Sequence, residues 1–366
     1  WIYRKPVGSD PHLVAWLEVR LYAGGAVEVL PWVENGYLRV AGPTSKNASY
    51  RFTLGGSVRF AAAFDLPNHA RTVLVSGNFL SHWLGAAPTL LARHEKTYLQ
   101  ATRLVPAYRA HVPSTASVWN SLAQSYTPLQ QGNYANAMGQ GGYQPAIGLL
   151  PEWDVLYLAS NDARALAGVL VNAYSAGRYA IHYRDETTQR PPRFSSYPNL
   201  VIHGGASAGI DGIGASTKNQ YTPVSSGTAA PTYDLPHHPA MGYTAYLLTG
   251  RFYFMEQVQF LATVNFLKNS DNARSYTGGV FQSTAGANTT RGAAWAIRTL
   301  AQAACGTPDS ATVLRSEMLA SLAANADFYH ATYVARPNNP QGTVAPYSNY
   351  TTGTNVYSEA AWMQDF

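Results

Sequence analysis

Two adjacent histidines, His237 and His238, stand in the run Tyr233-Asp234-Leu235-Pro236-His237-His238-Pro239. Histidine is the side chain whose charge changes near neutral pH, so either could serve as a general base or acid. Pro239 suits the first turn of a helix over about 239–249, and Gly250 sits where that helix should stop. A second apolar-periodic run from Phe252 to Leu267 follows a Gly250-Arg251 turn, which predicts an αα-hairpin. A third helix opens at Arg291. The pair therefore stands at the mouth of a set of helices. Adjacent residues at a helix start diverge, and no HExxH or EF-hand pattern occurs, which weighs against a metal pair. The competing reading makes His238 a helix cap and His237 a packing residue.

Two further clusters combine reactive types. Ile181-His182-Tyr183-Arg184-Asp185-Glu186 would place His182 and Arg184 on one face of a strand, with Tyr183 and Asp185 on the other. A salt-bridged edge strand accounts for it slightly better. His203-Gly204-Gly205 runs into Gly205-Ala206-Ser207-Ala208-Gly209, which matches the nucleophile elbow of serine hydrolases. The elbow requires strand–turn–helix context, and Ile210-Asp211-Gly212 does not open a helix. Neither GxGxxG nor a Walker A sequence is present, so no cofactor is expected.

The scaffold for these residues reads as α+β. Hydrophobic residues are 46% and charged residues 12% of 366, enough for a large core and against global disorder. The net charge is +5, but Lys and Arg are scattered rather than gathered as a nucleic-acid surface requires. No apolar run approaches membrane-spanning length. Cys305 is the only cysteine, which excludes an internal disulfide and reads as a small core residue. Residues 1–112 are expected to form a β-sandwich or barrel. Strands fit Leu13–Tyr22, Ala26–Val33, Tyr50–Leu54, Ser57–Phe64 and Arg71–Ser76, with turns at Gly24-Gly25 and Gly55-Gly56. Residues 113–366 are expected to be mainly helical, with helices over about 162–174, 239–249, 252–268, 291–305 and 310–331 and long loops at 204–230 and 336–356. The final run, Tyr357 to Phe366, reads as the start of a helix cut short, so further domains or chains of a longer protein are expected.

Trp16-Leu17-Glu18-Val19 with Gly24-Gly25-Ala26-Val27-Glu28-Val29 resembles the opening barrel domain of exo-acting rhamnogalacturonan lyase-like proteins. His237-His238-Pro239, Gly242-Tyr243, Ala245 to Arg251 and Arg291-Gly292-Ala293-Ala294-Trp295 with Arg298-Thr299-Leu300 resemble the α/α-toroid part of those and related polysaccharide lyases. The resemblance implies β-elimination on a uronate-containing acidic polysaccharide or oligosaccharide, outside the cell or in the periplasm. In such chemistry the carboxylate must be neutralised before a base removes the neighbouring proton, and an acid protonates the leaving oxygen. It casts His237 or His238 as base, Tyr243 as acid and Arg291 as carboxylate clamp. Trp295, His203, Tyr183 and Arg184 are further substrate-binding candidates, and the toroid is expected to be incomplete at its C-terminus. Two other readings stay open. One is a non-catalytic saccharide-binding or structural module of a phage or cell-surface assembly. The other is a glycoside or ester hydrolase, although the helical part is poor in carboxylates.

Overall fold

The computed structural model describes residues 1–40, 44–78, 80–88, 94–136, 138, 144–202, 221–222, 227–231, 233–269, 274–279, 287–331 and 335, the backbone alone for 287–291. Alternation sets the first layer. In β2 (Asp10–Leu21), Val14 and Trp16 point to one side and Leu13 and Ala15 to the other; β3 (Val27–Glu34) places Leu30 and Trp32 against Val33 in the same way. β2 and β3 join through a turn in which Gly25 takes φ 81°. β1 (Ile2–Val7) adds to β2, and β6 (Arg71–Val73) and β7 (His82–Leu84) pair with opposite ends of β3. Of the expected sandwich or barrel, the closed barrel is not formed: this is an open antiparallel sheet, because β1 and the short β6 and β7 end it without meeting. β4 (Lys46–Leu54) and β5 (Ser57–Leu66) form a separate hairpin. Its loop, Gly55-Gly56, takes φ 60° and 78°, as a type I′ turn demands. Tyr50, Phe60 and Leu66 of the hairpin close over Leu13 and Val33.

Eight α-helices are described: α1 (Lys96–Ala101), α2 (Ala116–Asn120), α3 (Glu152–Ser160), α4 (Ala163–Ser175), α5 (Tyr243–Thr249), α6 (Phe252–Leu267), α7 (Ala287–Gly306) and α8 (Thr312–Tyr329). Mixed α and β structure with antiparallel sheets thus holds. The helix predicted from 239 begins only at Tyr243, because Gly242 sits at φ 85° and breaks the helical path. One hydrophobic cluster runs from Val14, Trp16 and Trp32 in the sheet through α6 to Leu300 and Leu314, crossing the expected boundary at residue 112. Trp16 and Trp32 stack at 5.7 Å, and Tyr253 meets Trp32 edge-on at 5.5 Å.

The α5–α6 turn is fastened to the sheet by the acidic residues of β2 and β3. Arg251 pairs with Glu28, the Phe252 N–H donates to Glu18 at 3.0 Å, and Arg20 donates to the Thr249 carbonyl at 2.9 Å. Helix α6 is buried on nearly every side, so its polar residues need internal partners. Glu256 accepts from Arg184 at 2.8 Å, and Arg184 also binds Glu34. Arg71 reaches Glu256 at 3.5 Å and Gln257 at 3.0 Å, while His182 Nε2 lies 2.9 Å from Gln257. Two cations and two carboxylates balance in a dry interior. Burial holds the His182 imidazole well below its ordinary range, so it stays neutral. The segment 179–185 is therefore no edge strand: Arg184 makes only a single bridge with Tyr37, and the charged residues face inward to this network.

Asp154, in the first turn of α3, is 3% exposed, and burial pushes its carboxyl up to about 7, against a smaller lowering by the Thr244 hydroxyl. The unfolded chain ionises near the ordinary carboxylate value while the folded chain keeps its proton. Stability therefore falls as pH rises from about 4 to about 7 and levels off above. Asp154→Asn is expected to flatten that slope and to gain on the order of 2–4 kcal/mol above pH 7. Urea midpoints of both proteins across that range check this. Parallel curves would contradict it.

Candidate functional site

The turn before α5 is built onto α7. Leu235–His237 forms one turn of 3-10 helix, and it lies so close to α7 that a Cβ on Gly292 would stand 3.0 Å from Leu235 Cδ2. His237 Nδ1 contacts the Asp234 carboxylate, the arrangement that orients an imidazole for proton transfer. The neighbouring Lys268, over the Tyr233 ring at 5.8 Å, is held below its ordinary pKa by burial, with Asp234 acting in the opposite direction.

His238 is fully buried. Its Nδ1–H donates to the Leu235 carbonyl at 2.7 Å, and its Nε2 accepts from Thr299 Oγ1 and Asn265 Nδ2, both at 3.1 Å. Tyr233 in turn donates to Asn265 Oδ1. Burial, then the Arg298 cation, keeps this imidazole well below its ordinary pKa. With both nitrogens occupied, His238 positions its neighbours rather than offering a lone pair. Its carbonyl accepts from Arg298 Nη2 at 3.0 Å.

Arg298 leads to an open cleft of about 520 Å³. On α7, Arg298, Ala301, Gln302 and Cys305 fall at positions i, i+3, i+4 and i+7, one stripe facing the cleft. Opposite lie Gln100, Arg103 and the apolar Leu104–Pro106 segment, with Leu149 and Leu150 at one wall and Tyr243 at another. Among the described residues no Asp or Glu lines it. Arg298 is only 8% exposed and among the described residues has no carboxylate partner; it donates to the carbonyls of Gly148 and His238, and its buried Nε–H meets no acceptor among them. Burial pushes this guanidinium down to about 9, still a cation at neutral pH. Arg103 is held at φ 60°, a conformation that costs a non-glycine residue energy and concentrates at functional sites. Tyr243 donates to the Leu104 carbonyl at 3.0 Å, and burial raises its pKa, so the hydroxyl keeps its proton. A desolvated cation at the cleft wall, beside a second cation and protonated or amide donors, suits an anion.

The expected residues divide accordingly. Tyr243 lines the cleft; His237, paired with Asp234, and Trp295, buried beneath Arg298 with the guanidinium carbon 5.0 Å from its ring, are not among its lining residues. Tyr183 stacks on His69 at 3.8 Å, and Arg184 belongs to the core ion network, so neither reaches the cleft. His203 and the 205–209 motif lie outside the described residues, as does the side chain of Arg291. Arg103, Arg298 and Gln302 carry the site without having been singled out for it; the signal available was the stripe 298-302-305 on an alanine-rich helix. Among the described residues no group of three or more His, Cys, Asp or Glu could hold a metal, and no helix is long and apolar enough to cross a membrane.

No protein-family model, curated protein or solved structure matches this chain.

Proposed function

We propose that this chain is a carbohydrate-active protein that binds an acidic, uronate-containing polysaccharide in the Arg298 cleft and cleaves it by β-elimination, as a polysaccharide lyase acting outside the cell or in the periplasm. The observation that carries the reading is Arg298, a buried guanidinium that among the described residues has no carboxylate partner and lines a cleft to which none of them adds an acidic side chain. Arg298 takes the carboxylate-clamp role expected of Arg291, and a charge held there in low dielectric stabilises the carbanion formed next to it. Tyr243, which holds its proton, is suited to protonate the leaving oxygen. His237, oriented by Asp234, is the base candidate on the turn just ahead of His238. Support for an α/α toroid comes from the helical pairs α5–α6 and α7–α8, which pack on one another. That no described Asp or Glu lines the cleft supports elimination over paired-carboxylate hydrolysis.

A second reading, saccharide binding without cleavage, is favoured by one feature: the Tyr243 hydroxyl is tied to Leu104 and both His238 nitrogens are engaged. Calorimetric titration with a uronic-acid oligosaccharide and with its neutral, carboxyl-reduced counterpart tests what both readings share. The acidic ligand is expected to bind at least tenfold more tightly, the worth of about one charge-assisted hydrogen bond. Equal affinity for the two would sink both.

A further inference from the structure

Trp1, just ahead of β1, and Tyr3 and Lys5 within it lie at alternate positions, so their side chains share one face. The ladder fixes which face. Tyr3 lies opposite Leu17 and Lys5 opposite Ala15, and the Val19 N–H donates to the Trp1 carbonyl at 2.8 Å. That is the side of β2 turned away from Trp16 and the main core. The β4–β5 hairpin covers Leu13 and Val33 on this side but leaves the Trp1 end open: Trp1 is 67% exposed, Tyr3 57% and Leu21 58%. The residues of β2 and β3 that alternate onto this face, Leu13 to Leu21 and Val27 to Val33, include no Asp or Glu. Among the described residues no ring stacks on Trp1 or Tyr3, and no carboxylate pairs with Lys5.

Exposed rings on a sheet face could await another strand, but the edge argues against it. β1 is the outermost strand, and it carries Arg4, Lys5 and Pro6, residue types that keep an edge from pairing with another chain. A second copy laid edge to edge would bring those cations against their own like. What stays open is the face itself: two rings in line about 7 Å apart, an apolar floor and a cation. We propose that Trp1, Tyr3 and Lys5 form a second saccharide-binding surface, sharing no residue with the Arg298 cleft, that holds a uronate-containing chain. The rings cover the C–H faces of successive sugars, the indole N–H and phenol O–H reach hydroxyls at the ring edges, and Lys5 meets a carboxylate. The ligand class rests on the reading proposed for the cleft; the surface does not depend on cleavage there.

The test is affinity electrophoresis of the full chain through native gels cast with polygalacturonate, alginate or hyaluronate, and with dextran as a neutral polymer. At least one acidic polymer is expected to retard the protein more than dextran does. Trp1→Ala and Tyr3→Ala are each expected to weaken that binding about fivefold. Lys5→Gln is expected to weaken it about threefold at low salt and not at all in about 1 M salt. All three side chains are exposed, so the unfolding midpoints are expected to match the parent's. Arg298→Gln separates the two surfaces. If the cleft reading fails, Arg298→Gln is retarded like the parent while Trp1→Ala and Tyr3→Ala still lose binding. If the present proposal fails, Trp1→Ala and Tyr3→Ala are retarded like the parent. It is overturned as well if dextran retards the parent as strongly as every acidic polymer, or if none retards it. A dimer in sedimentation that Tyr3→Ala dissolves would also overturn it, because the face would then be an interface between copies.

Discussion

Glu256→Ala is expected to destabilise the protein by about 3–5 kcal/mol, enough to leave much of it unfolded at moderate temperature. Glu256 is fully buried in the middle of α6 and accepts two hydrogen bonds from Arg184 at 2.8 Å, with Arg71 at 3.5 Å. Removing it leaves two buried guanidinium groups against the single carboxylate of Glu34, where water cannot reach to screen them. Both arginines also lie near the Phe260 ring, at 5.6 and 4.8 Å, an attraction far too small to replace a charge. The half-exposed pair Arg315–Asp309 is the contrast, since Asp309 is 94% exposed and its charge is solvated; Asp309→Ala should leave the midpoint where it is. Guanidinium unfolding of the three proteins decides the matter. A Glu256→Ala midpoint equal to that of the parent would mean that the network carries no stability.

Arg298→Gln is expected to weaken binding of an acidic oligosaccharide by about thirtyfold, or roughly 2 kcal/mol, while changing stability by no more than about 1 kcal/mol. The asymmetry follows from the absence of a carboxylate partner. In the Glu256 network a charge is balanced inside the protein, so removing one member uncovers another. Arg298 has only carbonyl and hydroxyl acceptors, and its desolvation is a cost that the fold bears without an ion pair in return. A glutamine keeps an amide donor for one of those carbonyls and discards the charge. Binding and unfolding measured on the same preparation check both halves. Unchanged affinity would remove Arg298 from the site, and global unfolding would make it a structural residue.

Much of the sheet was legible because its period is two and its turns are glycine pairs. β2, β3 and the β4–β5 hairpin follow the alternation closely, and their edges shift by only a few residues. β1 was not legible, since Ile2–Val7 is mostly exposed on both faces and shows no period. Segment 179–185 read as a strand for the opposite reason. Its alternation of apolar and charged residues imitates a half-buried strand, but Arg184 and His182 are charged and polar residues turned into the core. Closure into a barrel depends on how the edges meet, which spacing does not encode.

The site was legible in part. Tyr243 stood out by its place after the His-His-Pro turn, and the turn itself does pack on α7. His238 looked like a base because sequence shows an imidazole and not its partners; Leu235, Thr299 and Asn265 occupy it from three elements. Arg298 was hidden among alanines for a similar reason. What marks it is the carboxylate that is not there, and that becomes visible only when the Leu104–Pro106 and Gly148–Leu150 segments are brought against α7.

The most direct measurement is ultraviolet absorbance of the conjugated, unsaturated uronate while the purified chain is incubated with a panel of acidic polysaccharides. A rising trace on a uronate polymer, lost when its carboxylates are reduced to alcohols, is the predicted result. A flat trace with new reducing ends appearing would contradict the account, because it would show hydrolysis where elimination is proposed.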